Sequence, residues 1–490
     1  MSPRAKAAAG GAFLALSQIS VLVLGLFLMG YLTRSLGTYQ YGLYALSMVL
    51  LNWFCMLLNT TCGAATIRLV AGQADGNRYA VTMLQMMGLI SLAGGAAAWL
   101  LASFLTHFFK SPDLLRLLHI VALILPVNAL AGVYGSIINA HGRFGVSALL
   151  NSLSWITQLL GAFFLIESGY AAQGAMFAVL LSGLINLLIG RLITGVPILS
   201  RERVSFAVLW RQSRRMIGVQ FFMRIGQNID LIAVKYFSGS GGAAGLYAGT
   251  QNISNAAIML LSGPMNTTIL QTLSQHVRES DLAGARHTAD LFLRLMIVYS
   301  GVLVAHSVLS EGIVGLLLGK EFANSGILLA ILLCVVAFRI VANSARTLIV
   351  ANGETAKILP QLLLMLAASL AGFAVFVPRG GGIAAASVSL AFSIALAVVS
   401  IREALKVIQI RFPWATLARV GGAVVLTSVL SSLLPGNGLW VIAKLALATL
   451  IYGSILIALG EKHPSFKNAE NYGNELLHLI RGRAILKRGD

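Results

Sequence analysis

Long runs of apolar residues alternate with short polar connectors along almost the whole chain. Each run reaches the length of about 20 residues that an α-helix needs to cross a bilayer, and little chain remains for a soluble domain. The pattern therefore predicts an all-α polytopic membrane protein. We expect about 14 membrane-spanning helices, at residues 9–34, 41–63, 79–108, 114–138, 145–167, 171–197, 216–238, 243–270, 287–308, 324–350, 357–377, 381–405, 415–434 and 438–459.

Composition narrows the class further. Of the 490 residues, 58% are hydrophobic and 10% are charged, and the mean hydropathy is +0.85. Soluble proteins carry about 25% charged residues, and a water-soluble fold of this composition would expose large apolar patches. A soluble enzyme, a disordered regulator and a secreted disulfide scaffold are therefore excluded. The 3 cysteines fall within apolar runs, so we expect no disulfide framework, no metal site and no cofactor.

The net charge of +19 is spread over the connectors instead of being collected on one exposed face, so nucleic-acid binding is not expected. With the N-terminus inside, the inner connectors and the tail carry 25 Lys and Arg residues and the outer connectors carry 6. This asymmetry follows the positive-inside rule and predicts that both termini are cytoplasmic. The six outer residues are Arg34, Lys110, Arg116, Lys235, Lys320 and Arg379.

A short motif occurs twice and indicates an internal repeat. Gly42-Leu43-Tyr44-Ala45 recurs 203 residues later as Gly245-Leu246-Tyr247-Ala248, and two further landmarks recur at offsets of 211 and 210 residues. Each half then holds 6 predicted helices, and an even number brings both halves into the membrane from the same side. We expect a pseudo-two-fold axis along the membrane normal, as in parallel-repeat transporters. A duplication retained for packing alone is the alternative.

This division gives five segments. They are an N-terminal six-helix lobe, a cytoplasmic connector, a C-terminal six-helix lobe, two additional helices and a basic cytoplasmic tail, at residues 1–197, 198–215, 216–405, 406–459 and 460–490. The tail mixes apolar and basic residues, which favours a helix that lies on anionic lipid.

Three groups of residues carry a family resemblance. They are Leu32-Thr33-Arg34-Ser35-Leu36-Gly37 before the first copy of the repeated motif, Asp230 before the second copy, and Leu318-Gly319-Lys320-Glu321-Phe322. With the helix number and spacing over residues 10–405, they resemble the polysaccharide (Wzx-type) flippases of the multidrug/oligosaccharidyl-lipid/polysaccharide exporter superfamily. The resemblance implies a carrier of lipid-linked sugars in the bacterial inner membrane. It also implies a polymerase and other polysaccharide assembly proteins as candidate partners, besides the membrane lipids.

Polar residues inside the predicted helices supply the candidate site. A charge in hydrocarbon costs roughly 2.5–3.5 kcal/mol, so such a residue must face protein, water or an interface. In the helix at 216–238, Gln220, Arg224 and Gln227 share one narrow face that Asp230 flanks. Arg224 lies near the bilayer midplane, and its guanidinium suits a phosphate group. The alternative is an internal Arg224–Asp230 pair for packing, although these residues lie on different faces.

Other helices offer weaker candidates for the same cavity. Amide side chains suit sugar hydroxyls, but they suit hydrogen bonds between helices equally well. The two further arginines lie near enough to the inner interface to extend to it. These candidates are Gln18, Asn52, Asn59, Gln251, Asn255, Arg294 and Arg339. Arg34, at a helix end, is expected to meet lipid headgroups.

The internal repeat and the polar face of the helix at 216–238, together with the lipid-linked sugar cargo that the family resemblance implies, favour a flippase. It would move a polyprenyl-diphosphate-linked oligosaccharide to the outer leaflet by alternating access. A cation-coupled antiporter for drugs or metabolites is the alternative, with Asp230 as the carrier of a proton or sodium ion, although the surplus of intramembrane arginine argues against cationic drugs. A membrane glycosyltransferase or polymerase is disfavoured because the longest internal connector has about 18 residues. We therefore expect a transporter and not an enzyme.

Overall fold

The computed structural model describes residues 3–71, 76–200, 204, 228–239, 241–259, 263–354, 358–433, 438 and 440–461. Within these ranges the chain is helical apart from turns and short connections, and it contains no strand. The helices, in chain order, are α1 (Pro3–Val70), α2 (Gly76–Phe108), α3 (Leu114–Ala140), α4 (Phe144–Leu165), α5 (Ala171–Thr194), α6 (Ile229–Ser238), α7 (Gly241–Ala257), α8 (Gly263–Arg278), α9 (Leu282–His306), α10 (Ser310–Leu317), α11 (Gly326–Ala351), α12 (Ile358–Ile408), α13 (Trp414–Ser432) and α14 (Trp440–Ala458).

The two longest helices are each interrupted by a glycine. Gly37 in α1 has φ 66° and Gly381 in α12 has φ 54°, a conformation that glycine adopts without steric cost. Gln18 and Cys55, on either side of Gly37, line one cavity, so α1 folds back on itself. Each of these helices thus contains two predicted spans.

Nine segments of the described chain are long and apolar enough to cross a membrane. The all-α polytopic class is therefore confirmed, while the number of 14 spans stays a prediction.

Helix α1 is the centre of packing in the first half of the chain, where α2, α3, α4 and α5 all contact it. In the second half α11 has this role and contacts α7, α8, α9, α10 and α12. Helices α13 and α14 pack on each other and on α9. One large hydrophobic core runs through both halves and includes Leu43, Leu46, Val234, Tyr247 and Phe322.

The two copies of the repeated motif meet where α1 crosses α7. A Cβ atom added at Gly42 would lie 2.1 Å from the carbonyl oxygen of Gly241, and one added at Gly245 would lie 1.9 Å from the carbonyl oxygen of Thr38. Only glycine lets two helix backbones approach so closely. Because Gly42 and Gly245 are equivalent positions of the repeat, their contact is the arrangement expected close to a two-fold axis.

Gly245→Ala should lower the melting temperature of the purified protein, because the added methyl group meets a backbone carbonyl. Such overpacking typically costs about 1–3 kcal/mol. Gly94→Ala is the matched control, since a Cβ atom at this helical glycine has nothing within 4 Å and alanine favours a helix by about 1 kcal/mol over glycine. Equal melting temperatures for the two variants in the same detergent would contradict the close crossing.

Candidate functional site

A buried carboxylate lies in the centre of the second half of the chain. Asp230, in the first turn of α6, is 1% exposed. Its Oδ2 accepts hydrogen bonds from the Tyr247 hydroxyl at 3.0 Å and the Ser389 hydroxyl at 3.3 Å. Its Oδ1 accepts them from Gln251 Nε2 at 2.9 Å and from the backbone N–H of Leu231 at 3.0 Å. Every described hydrogen-bond partner thus donates to the carboxylate oxygens.

Arg339 of α11 supplies the counter-charge. Its Nη2 lies 3.6 Å from Asp230 Oδ2, and its side chain is 25% exposed. A buried carboxylate is costly unless it is both paired and hydrogen-bonded, and here both conditions are met. The Asp230 cluster, by which we mean Asp230, Tyr247, Gln251, Arg339 and Ser389, therefore joins α6, α7, α11 and α12 without net charge.

Three of the predicted site residues, Asp230, Gln251 and Arg339, come together in this cluster. Asn255 is half-buried one helical turn beyond Gln251. Arg294 makes its ion pair with Asp290 of its own helix, at 2.8 Å. The predicted residues Gln220, Arg224 and Gln227 lie outside the described residues, so their assignment to a cavity stays a prediction.

The site candidates in the first half of the chain are Gln18, Asn52 and Asn59, and they differ in exposure and in whether their side chains are described. Asn52 is exposed on α1, and the side chain of Asn59 lies outside the described part of the structure. Gln18 is exposed and lines a cavity of about 440 Å³ among α1, α3, α4 and α5. Of the two whose side chains are described, Gln18 lines this cavity and Asn52 does not.

Two donors to Asp230 were not anticipated from the sequence. Tyr247 belongs to the repeated motif, which is a signal for its position but not for its role. Ser389 lies in an apolar stretch of α12 where nothing in the sequence distinguishes it. Among the described residues, no cluster of His, Cys, Asp and Glu side chains is suited to hold a metal ion.

The two halves of the chain also meet at one end of the bundle, which we call the sealed end. Arg34, expected to meet lipid headgroups, donates through Nη2 to the carbonyl oxygen of Leu316 at 2.6 Å. The backbone N–H of Thr38 donates to Glu321 Oε2 at 3.2 Å. The sealed end comprises residues 34–45, 109–113, 235–239, 241–252 and 316–322.

Side chains within the sealed end add contacts across the same interface. Lys235 is 1% exposed, and its Nζ donates to Ser111 Oγ at 2.7 Å. Asn252 Nδ2 donates to the Tyr41 hydroxyl at 3.0 Å, and the Tyr41 ring packs edge-on against Phe322. Lys235, Tyr41 and Phe322 are almost completely buried between the two halves, so this end of the bundle is closed.

The chain is similar in sequence to one protein family and in fold to several solved structures. Residues 7–277 match the family model described as polysaccharide biosynthesis protein. The fold is similar to that of the lipid II flippase MurJ in an inward closed conformation, with a TM-score of 0.75 and 14% identity over 90% of this chain and 97% of that one.

Two further solved structures share the fold. One is a multidrug resistance MATE family transporter of the MOP superfamily in an inward-facing conformation, with a TM-score of 0.67 and 15% identity over 81% of this chain and 98% of that one. The other is a MOP superfamily transporter from Pyrococcus furiosus, with a TM-score of 0.59 and 14% identity over 82% and 95% of the two chains. No curated protein sequence matches the chain.

Arg339→Gln should destabilise the protein more than Arg294→Gln. The first change leaves Asp230 buried without its counter-charge, which costs about 3–5 kcal/mol. The Arg294–Asp290 pair is partly exposed, with side-chain exposures of 41% and 33%, so the loss of Arg294 leaves no fully buried carboxylate without its counter-charge. Thermal unfolding of the purified variants measures the difference.

The double variant Asp230→Asn/Arg339→Gln, compared with the two single variants, completes a double-mutant cycle. The double variant should be more stable than Arg339→Gln alone, since the uncompensated charge is removed. Strictly additive losses from the two substitutions would contradict the ion pair.

Proposed function

The chain belongs to the polysaccharide biosynthesis protein family, and on this premise we propose that it is a flippase. Its cargo is a polyprenyl-diphosphate-linked oligosaccharide, which it moves across the bacterial cytoplasmic membrane for the synthesis of a surface polysaccharide or exopolysaccharide. It acts as a transporter and not as an enzyme, and it works with the polymerase and other assembly proteins that use the cargo. The fold shared with a flippase and with transporters supports this proposal.

The observation that carries the proposal is that the bundle is closed at one end and contains a polar cavity away from it. Helix α3 begins at the sealed end, where Asp113 Oδ2 accepts a hydrogen bond from the Tyr39 hydroxyl at 3.0 Å. Asn128, which lines the cavity, lies 15 residues further along, or about 22 Å at 1.5 Å per residue. In this mechanism a hydrophilic headgroup enters from the end opposite the sealed end, and it leaves when the sealed end opens and the opposite end closes.

The sealed end faces the outside of the cell in this proposal. It contains Arg34, Lys110, Lys235 and Lys320, four of the six basic residues that charge asymmetry assigns to the outer side. The cavity then opens toward the cytoplasm, the side on which the cargo is loaded. Both termini are cytoplasmic in this orientation.

The diphosphate of the cargo needs a cation within the membrane, because an unpaired anion is not stable in an apolar interior. Of the cations proposed for the cavity, Arg339 and Arg294 have carboxylate partners, while Lys444, which is not among them, lies close to one end of its predicted span. We therefore assign the diphosphate to Arg224, with Gln220 and Gln227 on the same predicted face. A guanidinium binds phosphate oxygens in a forked geometry.

The antiporter is the second candidate, because the fold is shared with a multidrug resistance transporter and because Asp230 is a buried carboxylate. Its surroundings favour the flippase. A proton or sodium ion carried by Asp230 would have to displace the Arg339 guanidinium and reorganise the donors from Tyr247 and Gln251. A coupling ion, if one is used, binds elsewhere in this proposal.

Vesicles that contain the purified chain should move the headgroup of a fluorescent polyprenyl-diphosphate oligosaccharide between leaflets, while protein-free vesicles should not. Arg224→Gln should slow this movement about tenfold or more, because charge-assisted hydrogen bonds contribute about 1.5–3 kcal/mol. Lys444→Gln is the matched control. The measurement is the fraction of headgroups that a membrane-impermeant quencher reaches over time.

Two outcomes would count against these assignments. Movement at the full rate in Arg224→Gln would contradict the role of Arg224, and no movement by the unaltered chain would contradict the flippase. Proton- or sodium-driven export of a cationic drug that is lost in Asp230→Asn would instead identify the antiporter.

A further inference from the structure

The cavity in the first half of the chain is lined by uncharged polar groups. Its polar lining consists of five amide side chains and three serines, and none of the described lining residues is charged. Its volume of about 440 Å³ falls within the range of about 300–1,000 Å³ that is typical of ligand sites. The amides are those of Gln18, Asn128, Asn151, Gln158 and Asn186.

Some of these side chains lie on the exposed side of the cavity and others on its buried side, which we call the floor. Gln18 and Asn151 are exposed, while Gln158 is half-buried. At the floor, the buried Ser182 hydroxyl lies 2.6 Å from Ser154 Oγ and accepts a hydrogen bond from Gln158 Nε2 at 3.3 Å. The floor is thus fixed by its own hydrogen bonds, while the groups nearer the opening are available to a ligand.

Two observations indicate that the cavity is built to present polar atoms. A Cβ atom added at Gly183 would lie 2.4 Å from Asn128 Oδ1, so the absence of a side chain at Gly183 is what lets the Asn128 amide occupy its position. Asn186 Oδ1 is buried and has no hydrogen-bond partner among the described residues. Buried polar atoms are nearly always satisfied, so this oxygen is free to accept a hydrogen bond from water or from a ligand in the cavity.

The chemistry of the lining selects the class of ligand. Amides and hydroxyls both donate and accept hydrogen bonds, as the hydroxyls of a sugar do. A phosphate is an acceptor only, and a strong site for it supplies cationic donors, which the described lining does not contain. The cavity therefore suits an uncharged, hydroxyl-rich group better than the diphosphate.

We propose that this cavity is a subsite for an uncharged sugar residue of the cargo, separate from the cation that binds the diphosphate. This proposal rests on the proposed flippase function, and it assigns the glycan and the diphosphate of the cargo to different parts of the chain. The first half of the chain recognises the glycan, and the predicted helix at residues 216–238 binds the anionic group that all such cargoes share.

The protein in lipid nanodiscs should bind the neutral probes glucose, galactose and N-acetylglucosamine. Asn128→Leu and Asn186→Leu should each weaken the affinity for the best of these probes about three- to tenfold, the usual effect of losing a neutral hydrogen bond. Asn139→Leu is the matched control, because Asn139 lies on the same helix as Asn128 but does not line the cavity. Inorganic pyrophosphate is the second probe, and its affinity should be equal in all variants. Isothermal titration measures both.

Unchanged sugar affinity in both variants would overturn the subsite, as would the failure of the unaltered protein to bind any of the three sugars. A parallel loss of pyrophosphate affinity would also overturn it, because the substitutions would then act through a general distortion. These results are independent of lipid movement. If the vesicles show no flipping but sugar binding is lost in the two variants and kept in Asn139→Leu, the flippase function fails and the sugar subsite stands.

Discussion

The backbone contact between Gly42 and Gly245 constrains the rest of the structure. Because neither residue has a side chain, α1 and α7 cross closely enough for the two halves to meet, and Arg34, Lys235 and Glu321 then find partners at that interface. The amide-lined cavity lies away from this contact, among α1, α3, α4 and α5.

Charged and neutral polar groups have different places in this fold. Asp230 and Arg339 neutralise each other where four helices meet, because in an apolar interior a charge must be satisfied within the protein. The neutral amides instead line a cavity that a ligand can enter. The described charges of the Asp230 cluster are thus paired within the protein, whereas the cavity in the first half is lined by uncharged polar groups.

The sequence predicts the helices well because their ends carry chemical signals, such as the glycine at position 37 between two apolar runs. It does not predict the Asp230–Arg339 pair, since these residues are 109 positions apart and periodicity reports only the faces of a single helix. Nor does it separate Asn128 and Asn186 from amides that merely bond a neighbouring helix. Whether an amide lines a cavity depends on helix rotation, which is set by packing.

Alternating access requires the sealed end to open during transport. Ser35 and Lys320 are exposed residues of the two halves at this end, and spin labels attached there report the distance between the halves. In nanodiscs, double electron–electron resonance should give one short distance without cargo and an additional, longer distance when a polyprenyl-diphosphate oligosaccharide is present. A single distance that is the same with and without cargo would contradict alternating access.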